Sequence, residues 1–375
     1  MKIDACIIIK NEENTIENVC NNLLKFCRNV YIVDTGSTDK SIEIIQRIQE
    51  THDNLILEHF RWINDFSAAR NYSFSLSKDS DYIYYCDGDE TDTPELIEKL
   101  KWFASLEYND NLADAYRIPL QCREHEWDDP IISYRIALIK TKPRYIWKNP
   151  VHEYLDFDMR ITRIDAETFK DCWRTSVYFQ KERDEFRNLN IIRDSTNLTV
   201  RMLYYYGKEL LDVGYVYPAI LCMIESIFSD NDNVSNTNKV DAAYTYIYYL
   251  LQNPWMEFSH STEEIGQYML TNKIYNKCIF FMFSDLYLKQ EKYHLAADWA
   301  IRAYNLSYSE CTGHMLTRDL YDNIKCLFNI VVALDRLGQY KMAQMYNDTI
   351  LMYDPSNEAA LENKKYFEER LNEYM

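Results

Sequence analysis

The strongest constraint on this chain is a set of apolar runs that stop abruptly at polar, acid-bearing turns. Residues 3–9 lead into Lys10-Asn11-Glu12-Glu13-Asn14, and residues 30–33 into Asp34-Thr35-Gly36-Ser37-Thr38-Asp39. The aromatic run Tyr82-Ile83-Tyr84-Tyr85-Cys86 ends at Asp87-Gly88-Asp89-Glu90. A further apolar run covers residues 55–60. Between these runs, residues 15–26, 40–49 and 66–76 carry apolar side chains at helical spacing. The order β-α-β-α-β-α-β predicts an α/β domain with a mainly parallel, Rossmann-like sheet. Residues 115–121 and 132–139 read as two more strands.

From about residue 183 helical periodicity takes over and runs to the C-terminus. The expected division is therefore a domain over residues 1–180 and an all-α domain over 181–375. Gly338-Gln339-Tyr340-Lys341-Met342-Ala343 followed by Asp354-Pro355-Ser356-Asn357 matches tetratricopeptide (TPR) spacing. Glu291-Lys292-Tyr293-His294-Leu295-Ala296 with Ala303 is a weaker match. Pro218 and Pro254 mark expected helix boundaries.

With 375 residues, 47% hydrophobic and 27% charged, the chain can build about two packed cores. A net charge of −18 argues against a nucleic-acid partner, which needs a basic footprint. No stretch approaches the ~20 apolar residues that span a bilayer. The start enters a strand directly, without the apolar region of a signal peptide. The ten cysteines are scattered, with no Cys-x-x-Cys pair, as expected of reduced thiols in a cytoplasmic protein.

The acid-bearing turns fall at the carboxyl edge of the expected sheet, where open α/β sheets bind ligands. Asp87 and Asp89, one residue apart, repel unless a cation sits nearby, and a hard divalent ion holding a diphosphate meets that need. Asp34 can accept from a ribose or a uracil N–H. Asn11 is also a natural cap for the following helix, as are Asn64 and Asp65 for the helix at 66–76. Arg70 carries a planar fork suited to diphosphate. His152 and Glu153 are a potential metal ligand and base. Gly36 and Gly88 are the two glycines of the first 200 residues, and both fall in these turns. Such placement calls for backbone freedom or a close approach.

In this order, Lys10-Asn11-Glu12-Glu13, Asp34 to Asp39, Asn64 to Asn71, Asp87-Gly88-Asp89-Glu90 and Val151-His152-Glu153 resemble the family 2 glycosyltransferases of the GT-A fold. The resemblance covers most of residues 1–155. Gly88 stands where that family usually has alanine. With Trp62 to Ser67 and Tyr205 to Leu210 added, the chain is similar to the sublancin-type peptide S-glycosyltransferases, which join this domain to TPR-like helices.

The resemblance implies an inverting, metal-dependent transfer of sugar from a UDP-sugar. Asp87, Asp89 and His152 would bind Mn²⁺ or Mg²⁺, with Asp89 the more direct ligand and Asp87 also facing the donor diphosphate. Glu12 and Asp34 would contact the uridine, and Arg70 the diphosphate or sugar. Glu153, Asp128 or Asp129 would be the base. The acceptor would be a peptide or protein Cys or Ser/Thr side chain, and the helical domain would serve acceptor binding and homodimerisation. The alternatives are a glycan or lipid-linked acceptor, or an inactive TPR scaffold.

Overall fold

The structure, a computed structural model, describes residues 1–375 except 123–130, 143–144, 158–161, 177–183, 196–197, 230–234, 313–318 and 374–375. The first half alternates β1 (Ile3–Ile9), α1 (Ile16–Leu23), β2 (Asn29–Asp34), α2 (Ser41–Gln49), β3 (Leu55–His59), α3 (Phe66–Leu76) and β4 (Tyr82–Tyr84). Then come β5 (Glu90–Asp92), α4 (Pro94–Ser105), β6 (Ala115–Cys122), β7 (Ile131–Lys140), β8 (Trp147–Lys148), β9 (Tyr154–Leu155), β10 (Ile164–Asp165), β11 (Arg174–Ser176) and α5 (Arg187–Arg193).

Among the described residues, the main sheet has nine strands in the order β3-β2-β1-β4-β7-β6-β11-β5, with β10 on β6. β1 pairs in parallel with both β2 and β4, and β2 with β3. β7 runs antiparallel to β4 and β6. The sheet is the mainly parallel one that the sequence predicts. Central β1 is buried along its whole length, so its sequence is a nearly continuous apolar run rather than an alternating one, broken only by Asp4, which pairs with Arg28. Strand order reverses between β1 and β4, and the turns after these strands meet at one edge, the place where such sheets take ligands.

β5, α4 and β8 to β11 escape the sequence reading. β5 carries the acids Glu90 and Asp92, and β8 to β11 are two or three residues long, too short to show a period. Helix α4 does carry a signal at its start: Thr93 is the N-cap, accepting from Leu96 N–H, and Pro94 opens the first turn.

The chain divides into two compact units, Met1–Ser195 and Thr196–Met375. The second is helical: α6 (Val200–Asp212), α7 (Val216–Ile227), α8 (Asn236–Gln252), α9 (Thr262–Thr271), α10 (Lys277–Lys289), α11 (Tyr293–Asn305), α12 (Asp319–Arg336), α13 (Tyr340–Tyr353) and α14 (Glu358–Glu373). Four of its corners share one device. Gly214, Lys273, Glu291 and Gly338 each sit at positive φ after a helix end. The next N–H then reaches back: Tyr215 to Leu210 O, Ile274 to Met269 O, Lys292 to Tyr287 O and Gln339 to Leu334 O. This is the Schellman closure, which satisfies orphan carbonyls and turns the chain sharply. No helix of the described residues is long and apolar enough to cross a membrane.

Candidate active site at the carboxyl edge of the sheet

The turns after β1 and β2 are bonded to each other. Asn11, at φ 58°, accepts Thr38 N–H on Oδ1 (2.7 Å), and its own N–H donates to Ser37 Oγ (2.9 Å). Glu12 N–H donates to Ser41 Oγ (2.7 Å) and Glu13 N–H to Asp39 Oδ2 (3.0 Å). Asn11 therefore does not cap α1. The N-cap position is Thr15, whose side chain caps nothing. Asp34 is buried, and its two carboxylate oxygens accept Gly36 N–H and Ser37 N–H at 3.0 Å each. Gly36 at φ +108° makes that turn feasible. His59 Nδ1 lies 3.4 Å from the same carboxylate.

The β4 turn comes up against the β1 turn. Thr15 Oγ1 donates to Gly88 O (2.7 Å), and a Cβ on Gly88 would lie 2.8 Å from Glu12 Cγ. Gly88 thus leaves the space that Glu12 occupies. Asp89 is buried, with Ser176 Oγ donating to Oδ2 (3.2 Å). Glu90 Oε2 accepts Asp87 N–H (3.2 Å) and ties the turn back on itself.

Helix α3 brackets the third part of the site. Asp65 caps it, accepting Ala68 N–H (2.9 Å). Buried Arg70 donates from Nη2 to Asp87 Oδ1 (2.7 Å) and from Nε to Glu153 Oε1 (2.6 Å). Its guanidinium lies over the Trp147 ring, 5.0 Å from the centroid. Asn71 holds Trp147 by both main-chain groups, and Phe66 N–H donates to Pro150 O (2.8 Å). These contacts set the loop carrying Val151-His152-Glu153 beside the Asp87 turn. In that loop His152 adopts φ 51°, so the strand alternation that would send His152 and Glu153 to opposite faces does not apply.

A chain of alternating charge runs through the site. Glu153, Arg70 and Asp87 are followed by Arg135, whose Nη1 lies 3.6 Å from Asp87 Oδ2 and 3.1 Å from Glu90 Oε1. Arg174 Nη1 in turn meets Glu90 Oε2 at 2.6 Å, and Tyr84 O–H donates to Asp92 Oδ1. Burial works to raise the Asp87 pKa, but Arg70 and Arg135 outweigh it and bring it down to about 2. At Glu90 and Asp92 burial wins, and both are raised despite Arg174. Burial alone would lower the Arg70 pKa; Asp87 and Glu153 more than offset it and keep the guanidinium charged.

The structure therefore brings Glu12 to the Asp87–Asp89 turn, and Arg70 to both Asp87 and Glu153. Asp34 stands in register with Ile9 at the end of β1. Asp128 and Asp129 lie outside the described residues. Among the described residues, no three His, Cys, Asp or Glu side chains converge as a metal-ligand set, Asp87, Asp89 and His152 included. Two carboxylates on one turn are nevertheless a hard oxygen donor set. They fit Mg²⁺ or Mn²⁺, which such sites hold through one or two carboxylates plus substrate phosphates. Asn71, Arg135 and Arg174 are the residues that sequence reasoning missed. Asn71 stood beside Arg70 in a quoted motif, whereas Arg135 and Arg174 belong to no motif.

Residues 4–169 match the model of glycosyl transferase family 2. A TPR repeat-containing protein of Synechococcus elongatus is 24% identical over 177 residues, which are 47% of this chain and 41% of that protein. The chain thus spans less than half the length of this relative. Among solved structures, S. aureus TarS 1-349 aligns at 13% identity and TM-score 0.34, over 91% of this chain and 93% of that one. The mannosyltransferase PcManGT of Pyrobaculum calidifontis, in complex with GDP-Man and Mn²⁺, aligns at 14% identity and TM-score 0.35, over 80% of this chain and 85% of that one. The match to the glycosyl transferase family 2 model thus covers the α/β part of the chain, and an array of helices follows it.

Proposed function

We propose that this chain is an inverting glycosyltransferase that moves a sugar from a UDP-sugar onto a Cys or Ser/Thr side chain of a peptide or protein. The observation that carries the reading is the meeting of Glu12, the Asp87-Gly88-Asp89 turn and the Arg70–Glu153 pair at the switch between β1 and β4. That place suits a nucleoside diphosphate. Asp34 and Glu12 bind the uridine. Asp87 and Asp89 would hold Mn²⁺ or Mg²⁺, which when bound supplies positive charge to the departing diphosphate.

Glu153 is the base in this reading. It takes the acceptor proton from one side of the anomeric carbon while the nucleotide leaves from the other. Arg70 keeps Glu153 and Asp87 in fixed relation, which limits the reorganisation needed during the reaction. A thiol acceptor asks less of the base than a hydroxyl, because it ionises more readily. The helical unit, together with the TPR repeats named in the cyanobacterial relative, supports a platform for a peptide or protein acceptor and for pairing of two copies.

The test is release of UDP from a panel of UDP-sugars with and without Mn²⁺. Release from one or two sugars, abolished by EDTA and by Asp89→Asn, supports the reading. No release from any of them, with no thermal shift on adding UDP, rejects it.

A further inference from the structure

We infer that Arg135, and not Arg70, is the arginine that grips the diphosphate of the nucleotide donor. The inference rests on the donor reading proposed above and says which side chain of this site carries the charge recognition. Three arginines of the described residues lie within 4 Å of Asp87 or Glu90: Arg70, Arg135 and Arg174. They differ in what remains available. The Arg70 side chain is 10% exposed and held by two carboxylates through two of its nitrogens. The Arg174 side chain is 3% exposed and closed in behind Glu90. Arg135, on β7, is 51% exposed, and among the described residues its hydrogen bond to a carboxylate runs from Nη1 alone, to Glu90 Oε1.

Arg135 is also surplus to internal pairing. Asp87 already has Arg70 at 2.7 Å, and Glu90 already has Arg174 at 2.6 Å. Both partners are nearer and more buried than Arg135, which stands 3.6 Å and 3.1 Å from the two acids. A half-exposed guanidinium at the acid-bearing turn, with donors remaining on its fork, matches the oxygens of a diphosphate. A nucleoside diphosphate approaching four carboxylates (Asp87, Asp89, Glu90 and Glu153) needs such a counter-charge at the mouth of the site. Arg70 then acts as a clamp inside the protein and Arg135 as its outward contact.

The experiment compares UDP with uridine as ligands of the full chain, by isothermal titration calorimetry at fixed Mn²⁺. Wild type, Arg135→Gln and Arg135→Lys are measured side by side. Arg135→Gln should weaken UDP by about tenfold or more while leaving uridine unchanged, because one charge-assisted contact to phosphate is lost. Arg135→Lys should fall between, since a point charge replaces a fork. Glu90 keeps Arg174 in both variants, so the buried carboxylate is not orphaned, and uridine binding reports an intact pocket. Unchanged UDP affinity in Arg135→Gln overturns the inference, and so does an equal loss for UDP and uridine. A wild type that binds neither ligand, or both equally, overturns the donor reading itself and the inference with it.

Discussion

Asn71 holds Trp147 by both main-chain groups at once: its Nδ2 donates to the Trp147 carbonyl and its Oδ1 accepts the Trp147 N–H, each at 2.9 Å. One side chain on α3 thereby replaces two ladder bonds at the start of the segment that delivers Glu153. Its neighbour Arg70 ties the far end of the same segment to Asp87. Adjacent residues of one helix thus fix two ends of a loop that has almost no regular structure of its own.

Asn71→Ala removes both bonds and leaves the Trp147 main chain without these partners. A loss of about 1–3 kcal/mol is expected, the usual effect of stranding partly buried polar groups. Chemical denaturation measures it. Because the loop also places Glu153, kcat should fall further than the donor KM rises.

Glu153→Gln keeps the volume and an oxygen for Arg70 but removes the proton acceptor. If Glu153 is the base, kcat for acceptor glycosylation drops by roughly 10²–10⁴ and UDP affinity stays near wild type. A kcat within a few-fold of wild type would assign the base elsewhere, with Asp128 and Asp129 next to be tested.

The acid side of the stability profile should carry the mark of Asp87. Its folded pKa of about 2 lies below the ordinary aspartate value of about 3.9. Its contribution is therefore present above pH ~4 and is lost as pH falls through about 2. The stability difference between wild type and Asp87→Asn should be flat from pH 7 to about 4 and shrink below that. A difference that grows with acidity would reverse the sign and contradict the Arg70 and Arg135 pairing.

In the helical unit, Gly266 faces the Trp299 ring so closely that an added Cβ would lie 2.6 Å from Cζ2. Trp299 is itself wedged against Phe280 and Phe283. Gly266→Ala should therefore destabilise the unit by about 1–3 kcal/mol through overpacking, although alanine is the better helix former. A melting temperature at or above wild type would show that Trp299 can yield.

The sequence displayed the sheet well where strands are long and buried. Residues 3–9 and 115–121 read correctly because burial along most of their length leaves a mostly apolar run to detect. It displayed the site through residues that repeat a strand-to-acid change. The charge chain beyond Asp87 was hidden for a physical reason. Arg174 and Glu90 become partners only because β11 lies antiparallel to β5, with Ser176 opposite Glu90 and Arg174 opposite Asp92. These residues are more than eighty positions apart, and β11 has three residues. Nor could spacing tell that Asn11 bonds to Thr38 instead of starting α1, since both uses ask for the same side chain at the same place.

That mutual bonding of the β1 and β2 turns has a consequence for how the nucleotide edge opens. The N–H groups of Asn11 and Glu13 end on the β2 turn and that of Glu12 on Ser41 at the start of α2, while those of Thr38 and Lys40 end on Asn11 and Glu13. Neither turn can swing out while the other keeps its partners. In hydrogen exchange these five amides should share one protection factor, and a bound nucleotide should raise it for all five alike.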